Sequence, residues 1–179
     1  MLLSNNNNMI ILKHIEKTFA DLFPLNRSLT GEGVKTTLNY IKNNFFSEAK
    51  IKKISSGTKV FDWQIPDEWN IIDGYVKNFN GEKIIDFKES NLNVISYSSP
   101  ISKFVEKSEL LKHLFTLPNH PNWVPYRTSY YHRNWGFCCT QKLVDSNKFK
   151  GPFEVFIDTS LGSFSAKTIS PSLLFFKLL

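Results

Sequence analysis

The chain has 179 residues, of which 41% are hydrophobic and 21% are charged, so it can bury a core and does not have the composition of a disordered chain. Its 22 basic and 16 acidic residues give a formal charge of +6, but the lysines are scattered and form no basic run. We therefore expect no nucleic-acid partner.

Two amphipathic helices are predicted at the start of the chain. Residues 1–8 are an asparagine-rich stretch that we expect to be frayed. A first helix follows and ends at Pro24, because the residue before a proline is disfavoured in the α region. Its apolar residues recur at helical spacing, namely Ile11, Ile15, Phe19 and Leu22. A second helix is predicted over about 31–46, with Thr30 as N-cap and a stripe of Val34, Leu38, Ile41 and Phe45. Two such apolar faces predict a sheet that covers them.

A β-rich lobe is predicted next. A weak strand starts near Ile51, and Phe61, Trp63 and Ile65 then alternate with polar residues up to Pro66. The stretches 71–79 and 83–87 flank Asn80-Gly81, which is the strongest short hairpin signal in the chain. A further strand is predicted over 91–97, so the region 68–100 is expected to consist of hairpins.

The second half of the chain mixes short elements. We predict a helix over 108–115, a strand over 128–137, a helical turn over 141–146 and a buried strand over 153–158. The end of the chain contains the apolar stretch SLLFFKLL, which is far shorter than the ~20 residues that span a bilayer.

The segment 117–138 is unusually rich in aromatic residues, arginine and proline. Aromatic rings beside arginine stack and hydrogen-bond at once, and proline holds a loop in shape, so this segment predicts a pocket wall or a packed corner. Asp62 and Asp158 lie among apolar strand residues, where a carboxylate needs a partner. Arg27 and Arg127 are the expected partners.

No catalytic residue and no metal ligand is predicted within this chain. The four histidines form neither an HxxxH nor an HExxH pair, and Gly31-Glu32-Gly33 is the start of a helix rather than a phosphate-binding loop. Cys138 and Cys139 are adjacent and build no disulfide framework, which indicates a reducing compartment. Because residues 1–8 also lack the features of a signal peptide, we expect a cytoplasmic protein without a membrane partner.

Six ordered blocks of this sequence resemble the bacterial aminopeptidase-like proteins of unknown function, which often accompany genes for surface-polysaccharide biosynthesis. The blocks are LFPLNRSLTGEG at 22–33, SSGTKVFDWQIPDEWNI at 55–71, KIIDFKESNLNVISYSSP at 83–100, LPNHPNWVPYRTSYY at 117–131, NWGFC at 134–138 and EVFIDTSL at 154–161. The resemblance implies an α/β fold, seen here as α+β: an incomplete α/β/α mixed-sheet domain of the di-zinc exopeptidase type with an inserted β-rich lobe.

The same resemblance implies the organisation and the activity. Residues 9–67 would open the aminopeptidase-like domain, 68–116 would be the inserted lobe, 117–161 would return to the first domain, and 162–179 would be a divergent apolar tail. The full-length relative would be a zinc-dependent aminopeptidase or amide hydrolase acting on a peptide or an amide-linked small substrate. Its metal ligands would lie beyond the matching blocks, so we expect no cofactor in this chain, no activity of its own, and a chain that is an N-terminal fragment; the alternative is a naturally short relative.

Candidate substrate-binding residues in the complete protein are Arg27, Tyr126, Arg127, Tyr130 and Trp135. The alternative is a non-enzymatic module in which the β-rich lobe and the aromatic segment bind a carbohydrate or a partner protein.

Overall fold

A computed structural model describes residues 2–27, 30–129, 132–162 and 166–170. The helices are α1 Leu2–Leu22, α2 Glu32–Asn44, α3 Lys107–Leu110 and α4 Gln141–Val144, and a 3-10 turn covers Leu111–His113. The strands are β1 Lys50–Ile54, β2 Lys59–Val60, β3 Trp63–Gln64, β4 Glu68–Lys77, β5 Lys83–Asp86, β6 Ile101–Val105, β7 Leu114–Phe115, β8 Phe137–Cys138, β9 Phe153–Gly162 and β10 Ala166–Ser170. The fold is α+β with several small sheets, as predicted.

The two long helices correct two details of the prediction. Helix α1 ends at Leu22, before Pro24 as expected, but it begins at Leu2, so the expectation of a frayed stretch over residues 1–8 is wrong. A helix that is already nucleated extends through poor helix formers at little cost per residue. In the described part of the chain no helix is long and apolar enough to cross a membrane.

Thr30 is not the N-cap of α2. Gly31 occupies that position with a φ of 131°, and the side-chain oxygen of Asn70 accepts the backbone N–H of Glu32 at 2.8 Å. The hydroxyl of Thr30 donates instead to the carbonyl oxygen of Asp67 at 3.0 Å. A long-range contact from β4 therefore replaces the local cap. Glycine is also needed one residue into the helix, since a Cβ at Gly33 would overlap the carbonyl oxygen of Asn26.

The expected covering of the helical faces by a sheet is wrong for the residues that the structure describes. Ile11, Ile15 and Phe19 on α1 are each more than half exposed, and α2 buries none of its residues. The side chains of Tyr40 and Asp21 join the two helices by a hydrogen bond of 3.0 Å. Helix α2 lies against β10 of the two-stranded β1–β10 sheet, and the side chain of Asn70 on β4 contacts its first turn.

The main sheet is antiparallel, with the strand order β5-β4-β9-β6. The predicted hairpin around Asn80-Gly81 joins β4 to β5, and Gly81 has the positive φ of 77° that such a turn requires. The predicted strand at 153–158 is the first part of β9, which pairs with β4 over nearly its whole length. Strand β9 lies after the boundary proposed at residue 116, but it pairs with β4 and β6, which lie before that boundary. The division of the chain into domains stays a prediction.

The core lies against this sheet. Alternate residues of β9 are buried, and they pack with residues of β4, β5 and the segments that follow β6. The buried set includes Val76, Ile85, Val105, Leu110, Phe137, Phe149, Phe153, Val155 and Ile157. Period-two burial along a ten-residue strand is what a sheet with one covered face produces.

Four predicted elements differ from the structure. The stretch 91–97 forms isolated bridges rather than a strand, and 108–115 splits into α3, the 3-10 turn and β7. The described residues of 128–137 form an isolated bridge at Thr128 and the first residue of β8, Phe137. The strand expected over 61–65 is a tight hairpin of β2 and β3, because the chain reverses at Phe61 and Asp62. Each of these stretches is apolar enough for a strand or a helix, but tertiary contacts decide its backbone.

Phe153→Ala should lower the free energy of unfolding by about 3–5 kcal/mol, because it opens a cavity in a fully buried site. The matched control is Phe104→Ala on the neighbouring strand β6, whose side chain is 75% exposed and whose loss should cost within about 0.5 kcal/mol. Urea denaturation measures both values. Similar losses in the two variants would contradict the placement of the core.

Candidate functional site

The structure distributes the predicted binding residues over several places. Arg27 and Tyr126 line one open cavity of about 710 Å³, which we call the Arg27 cleft, between the segments 23–27 and 87–92. The Arg127 guanidinium lies 5.5 Å from the centre of the Phe115 ring. Trp135 stacks on His113 at 3.8 Å and is not part of the lining of the Arg27 cleft. Tyr130 lies outside the described residues. The prediction that all five residues line one pocket thus stays untested as a set, although two of them do share a cavity.

The expected carboxylate–arginine pairs are not formed in the described part of the chain. Asp62 falls in the exposed turn between β2 and β3, and Asp158 lies opposite Asp73 across β9 and β4. The arginine that does approach a carboxylate is Arg133, whose Nη2 is 3.9 Å from Oδ2 of Asp67. The alternating sequence pattern predicts a regular strand with apolar neighbours around Asp62, whereas the structure places this residue in an exposed turn.

A second cavity, which we call the Tyr97 cleft, has a volume of about 620 Å³ and lies between the β2–β3 hairpin and the residues Ser129, His132 and Arg133. Its lining is mixed: carboxylates, an amide, an imidazole and a guanidinium surround aromatic and aliphatic groups. The lining residues are Gly57, Asp62, Trp63, Gln64, Ile65, Pro66, Asp67, Tyr97, Ser129, His132, Arg133 and Leu161.

The floor of the Tyr97 cleft is rigid. The ring of Tyr97 is buried and stacks on Trp69, with 5.9 Å between the ring centres. Its hydroxyl lies 3.1 Å from Oγ1 of Thr30 and 3.3 Å from the carbonyl oxygen of Asp67. The indole N–H of Trp69 donates to the carbonyl oxygen of Ser98 at 2.9 Å. These bonds join the loop before α2, the start of β4 and the segment around Tyr97 in one buried network, which fixes the floor.

One residue with a strained backbone lines this cleft, and a second one directly precedes two of the lining residues. Among the described residues, Phe61 and Tyr97 are the non-glycine residues with positive φ, at 56° and 67°. The buried network around Tyr97 can hold it in that conformation, whereas the Phe61 side chain is 100% exposed and gains nothing from burial. The left-handed region costs a residue with a Cβ about 1–2 kcal/mol. Backbone strain that burial does not compensate is typical of functional sites. Asp62 and Trp63, which follow Phe61 and line the cleft, are therefore candidate functional residues.

The charges of the cleft are accessible to a ligand. Arg133 and Asp67 are both exposed, and at 3.9 Å their ion pair contributes little to stability. Asp62 and His132 also face the cavity. A ligand can therefore use these groups without breaking a strong internal contact.

The two cysteines take no part in such chemistry. Both are buried, and burial raises the pKa of each thiol to about 12. A thiol must ionise before it can act as a nucleophile, so neither cysteine is reactive at neutral pH. Among the described residues no group of three or more His, Cys, Asp and Glu side chains is placed to hold a metal ion. This part of the chain consequently does not fit a zinc site, and no chemical step through zinc is derived from it.

Comparison with known proteins agrees with the resemblance found in the sequence. The chain is 50% identical over 141 residues to a protein of Clostridium acetobutylicum named "Putative polysaccharide biosynthesis protein with aminopeptidase-like domain", an alignment that covers 79% of this chain and 32% of the relative. A crystal structure of a "putative peptidase" from the same organism matches with a TM-score of 0.81 at 46% identity, covering 87% of this chain and 36% of that one. The chain spans about a third of the length of the relatives it matches.

The chain thus shares the fold of the matching third of that crystal structure. Residues 68–160 match a domain of unknown function, DUF2172, and the chain belongs to that family. The matched range contains β4 to β8, most of β9 and, from the Tyr97 cleft, Tyr97, Ser129, His132 and Arg133.

The sequence patterns did not indicate that Trp63, Asp67, Tyr97 and Arg133 are neighbours. They come from three segments that are up to about 70 positions apart, and no spacing rule joins them. The available signal is the aromatic and charged stretch from Phe61 to Asp67, but the alternation of Phe61, Trp63 and Ile65 predicts an ordinary strand there.

Phe61→Asn should raise the free energy of unfolding by up to about 1 kcal/mol, since asparagine tolerates the left-handed region better and the Phe61 ring has no burial to lose. Phe104→Asn, at an exposed strand position, should not stabilise the protein. Thermal and urea unfolding measure the difference. A clear destabilisation by Phe61→Asn would show that the ring makes a stabilising contact.

The stability of the fold should fall as the pH rises above 9. The folded thiols of Cys138 and Cys139 stay protonated up to about pH 12, whereas unfolded thiols ionise near 9.0, so the unfolded state binds fewer protons in this window. Each thiol then lowers the free energy of unfolding by up to about 1.4 kcal/mol per pH unit. Urea denaturation at pH 8, 9 and 10 should show a shallower fall for Cys138→Ala than for the unchanged protein. Equal slopes would mean that Cys138 ionises in the folded state.

Proposed function

We propose that this chain forms a substrate-binding part of a peptidase-like protein and that the substrate lies in the Tyr97 cleft. The observation that carries the proposal is that the strained Tyr97 lines this cleft and that the strained Phe61 directly precedes two of its lining residues, Asp62 and Trp63. The accessible Arg133, Asp67 and Asp62 side chains supply the polar contacts. The names of the relatives support hydrolysis of a peptide or of another amide as the reaction of the longer proteins.

The chemistry itself is proposed to come from elsewhere in the longer proteins. Zinc would acidify a water molecule and polarise the scissile carbonyl group. The described residues of this chain offer no set of ligands for it. We therefore propose that zinc dependence belongs to full-length relatives, with ligands outside the region matched here, and that this chain alone hydrolyses nothing. What its own residues do is bind and orient: Arg133 holds a polar group, and the rigid Tyr97 floor sets the depth of the cleft.

A second candidate function is a non-enzymatic binding module. It is favoured by the lack of a metal-holding group among the described residues and by the exposed aromatic ring of Tyr126. The two functions are distinguished by substrate turnover in a chimera of this chain with a longer relative.

We also propose that the protein resides in the cytoplasm. Its two cysteines are free and buried, so it neither carries nor needs a disulfide. Fractionation of the source cells with a periplasmic and a cytoplasmic marker tests this assignment.

The activity test uses a chimera in which this chain replaces the aligned 141 residues of the Clostridium relative. We expect the chimera to cleave chromogenic aminoacyl amides, a chelator to abolish the cleavage and zinc to restore it, and this chain alone to be inactive. Arg133→Ala in the chimera should raise KM about tenfold with a smaller effect on kcat, because a charge-assisted hydrogen bond is worth about 1.5–3 kcal/mol.

The matched control is Arg27→Ala, which removes an exposed arginine from the other cleft and should leave KM unchanged. The opposite result, with KM sensitive to Arg27 and not to Arg133, would place the substrate in the Arg27 cleft. A folded chimera without any turnover would favour the binding module.

A further inference from the structure

We infer that the ligand of the Tyr97 cleft is an uncharged saccharide, whose ring stacks on Trp63 and whose hydroxyl groups bond to Asp62 and to the Asp67–Arg133 pair. This inference rests on the proposed function, since it assumes that the Tyr97 cleft binds the substrate, and it names the part of the substrate that the cleft recognises. In the peptidase-like setting, the amide that is cleaved would then be attached to a sugar.

The backbone at Phe61 brings two adjacent side chains into the same cavity. In a regular strand, successive side chains point to opposite faces, so Asp62 and Trp63 could not both line one cavity. The left-handed conformation of Phe61 turns the chain between β2 and β3, and both Asp62 and Trp63 then line the Tyr97 cleft. The strained residue thereby places a carboxylate directly beside an aromatic ring. This is the combination that sugar recognition uses: a flat apolar surface for the C–H face of the ring and an acceptor for its hydroxyls.

Trp63 is both exposed and held in position. Its indole lines the cavity and is 37% exposed, so the part that faces the cleft is accessible to a ligand. The ring is carried by a hairpin whose two sides are tied together by backbone bonds, since Ile65 donates to the carbonyl oxygen of Thr58 at 2.9 Å and Gly57 donates to that of Ile65 at 2.8 Å. A preorganised aromatic surface loses little entropy on binding.

The balance of charges and hydrogen-bonding groups in the cleft favours a neutral polyol. The cleft holds two carboxylates, Asp62 and Asp67, against one guanidinium, so an anionic ligand gains little from Arg133. A simple ammonium ligand would use the carboxylates but not the donors of Arg133. Hydroxyl groups both donate and accept, and thus a polyol can satisfy carboxylates and guanidinium together. The volume of about 620 Å³ accommodates one or two sugar rings.

The test measures binding to the full 179-residue chain by calorimetry and by tryptophan fluorescence. The neutral probes are cellobiose, maltose and di-N-acetylchitobiose; the comparison probes are galacturonic acid, glucosamine and the peptide Leu-Gly-Gly. We expect at least one neutral disaccharide to bind with a Kd in the millimolar range or below, and more tightly than the acidic or the amino sugar. Trp63→Ala should weaken this binding at least tenfold, Trp63→Phe should restore part of it, and Asp62→Asn should weaken it several-fold.

The control is Trp123→Ala, which removes a tryptophan that is 62% exposed, stacks on His120 and lies outside the Tyr97 cleft. Its binding should equal that of the unchanged chain, and circular dichroism verifies that all variants are folded. Binding that is lost in Trp123→Ala and kept in Trp63→Ala overturns the assignment. Binding of Leu-Gly-Gly alone, lost in Trp63→Ala, overturns the saccharide and leaves the proposed function standing. Absence of binding by every probe also overturns the saccharide, whereas the proposed function is decided separately by turnover of the chimera and its dependence on Arg133.

Discussion

The buried segment from Asn93 to Ser98 is the constraint on which the rest of the structure depends. All six residues are buried, yet the segment is not a strand of any sheet, so its backbone groups need partners from several directions. Ser96 donates to the carbonyl oxygen of Arg127, Ile95 donates to that of Gly136, and Cys138 donates to that of Asn93, at 2.9 to 3.1 Å. Arg127, Gly136 and Cys138 of the aromatic stretch are thereby all hydrogen-bonded to the same buried segment, residues 93–98.

The conformation of Tyr97 follows from this arrangement. Its backbone is held by neighbours on both sides, and its ring is held by Trp69 below and by Thr30 at the hydroxyl. The positive φ is therefore the consequence of contacts that are collectively stronger than the strain of about 1–2 kcal/mol. Phe61 has the same kind of backbone without the same kind of support. The packing of the fold thus explains the positive φ of Tyr97 but not that of Phe61.

The sequence predicted those elements whose signals are local. Asn80-Gly81 gave the hairpin of β4 and β5, Pro24 marked the end of α1, and the alternation at 153–158 identified β9. It failed where distant residues compete with local ones. Thr30 has the chemistry of an N-cap, but Asp67 and Tyr97 engage its hydroxyl, and Asn70 caps the helix in its place. In the described part of the strand predicted over 128–137, Ser129 and Gly136 bond to Ser96 and Ile95 of the buried segment as separate contacts instead of a continuous ladder.

The candidate site was harder to predict than the fold for the same physical reason. A pocket wall was expected from the segment 117–138, and this segment does contribute to cavities, but to two different ones: Tyr126 lines the Arg27 cleft, and His132 and Arg133 line the Tyr97 cleft. Two consecutive residues of the buried segment 93–98 separate the two clefts. Ser96 lines the first cleft and Tyr97 lines the second. The buried segment 93–98 is common to both clefts and holds them next to each other. Which cleft a ligand enters is therefore decided by the other side chains that line each cleft. In the Tyr97 cleft those side chains are the ones that the turn at Phe61 brings together.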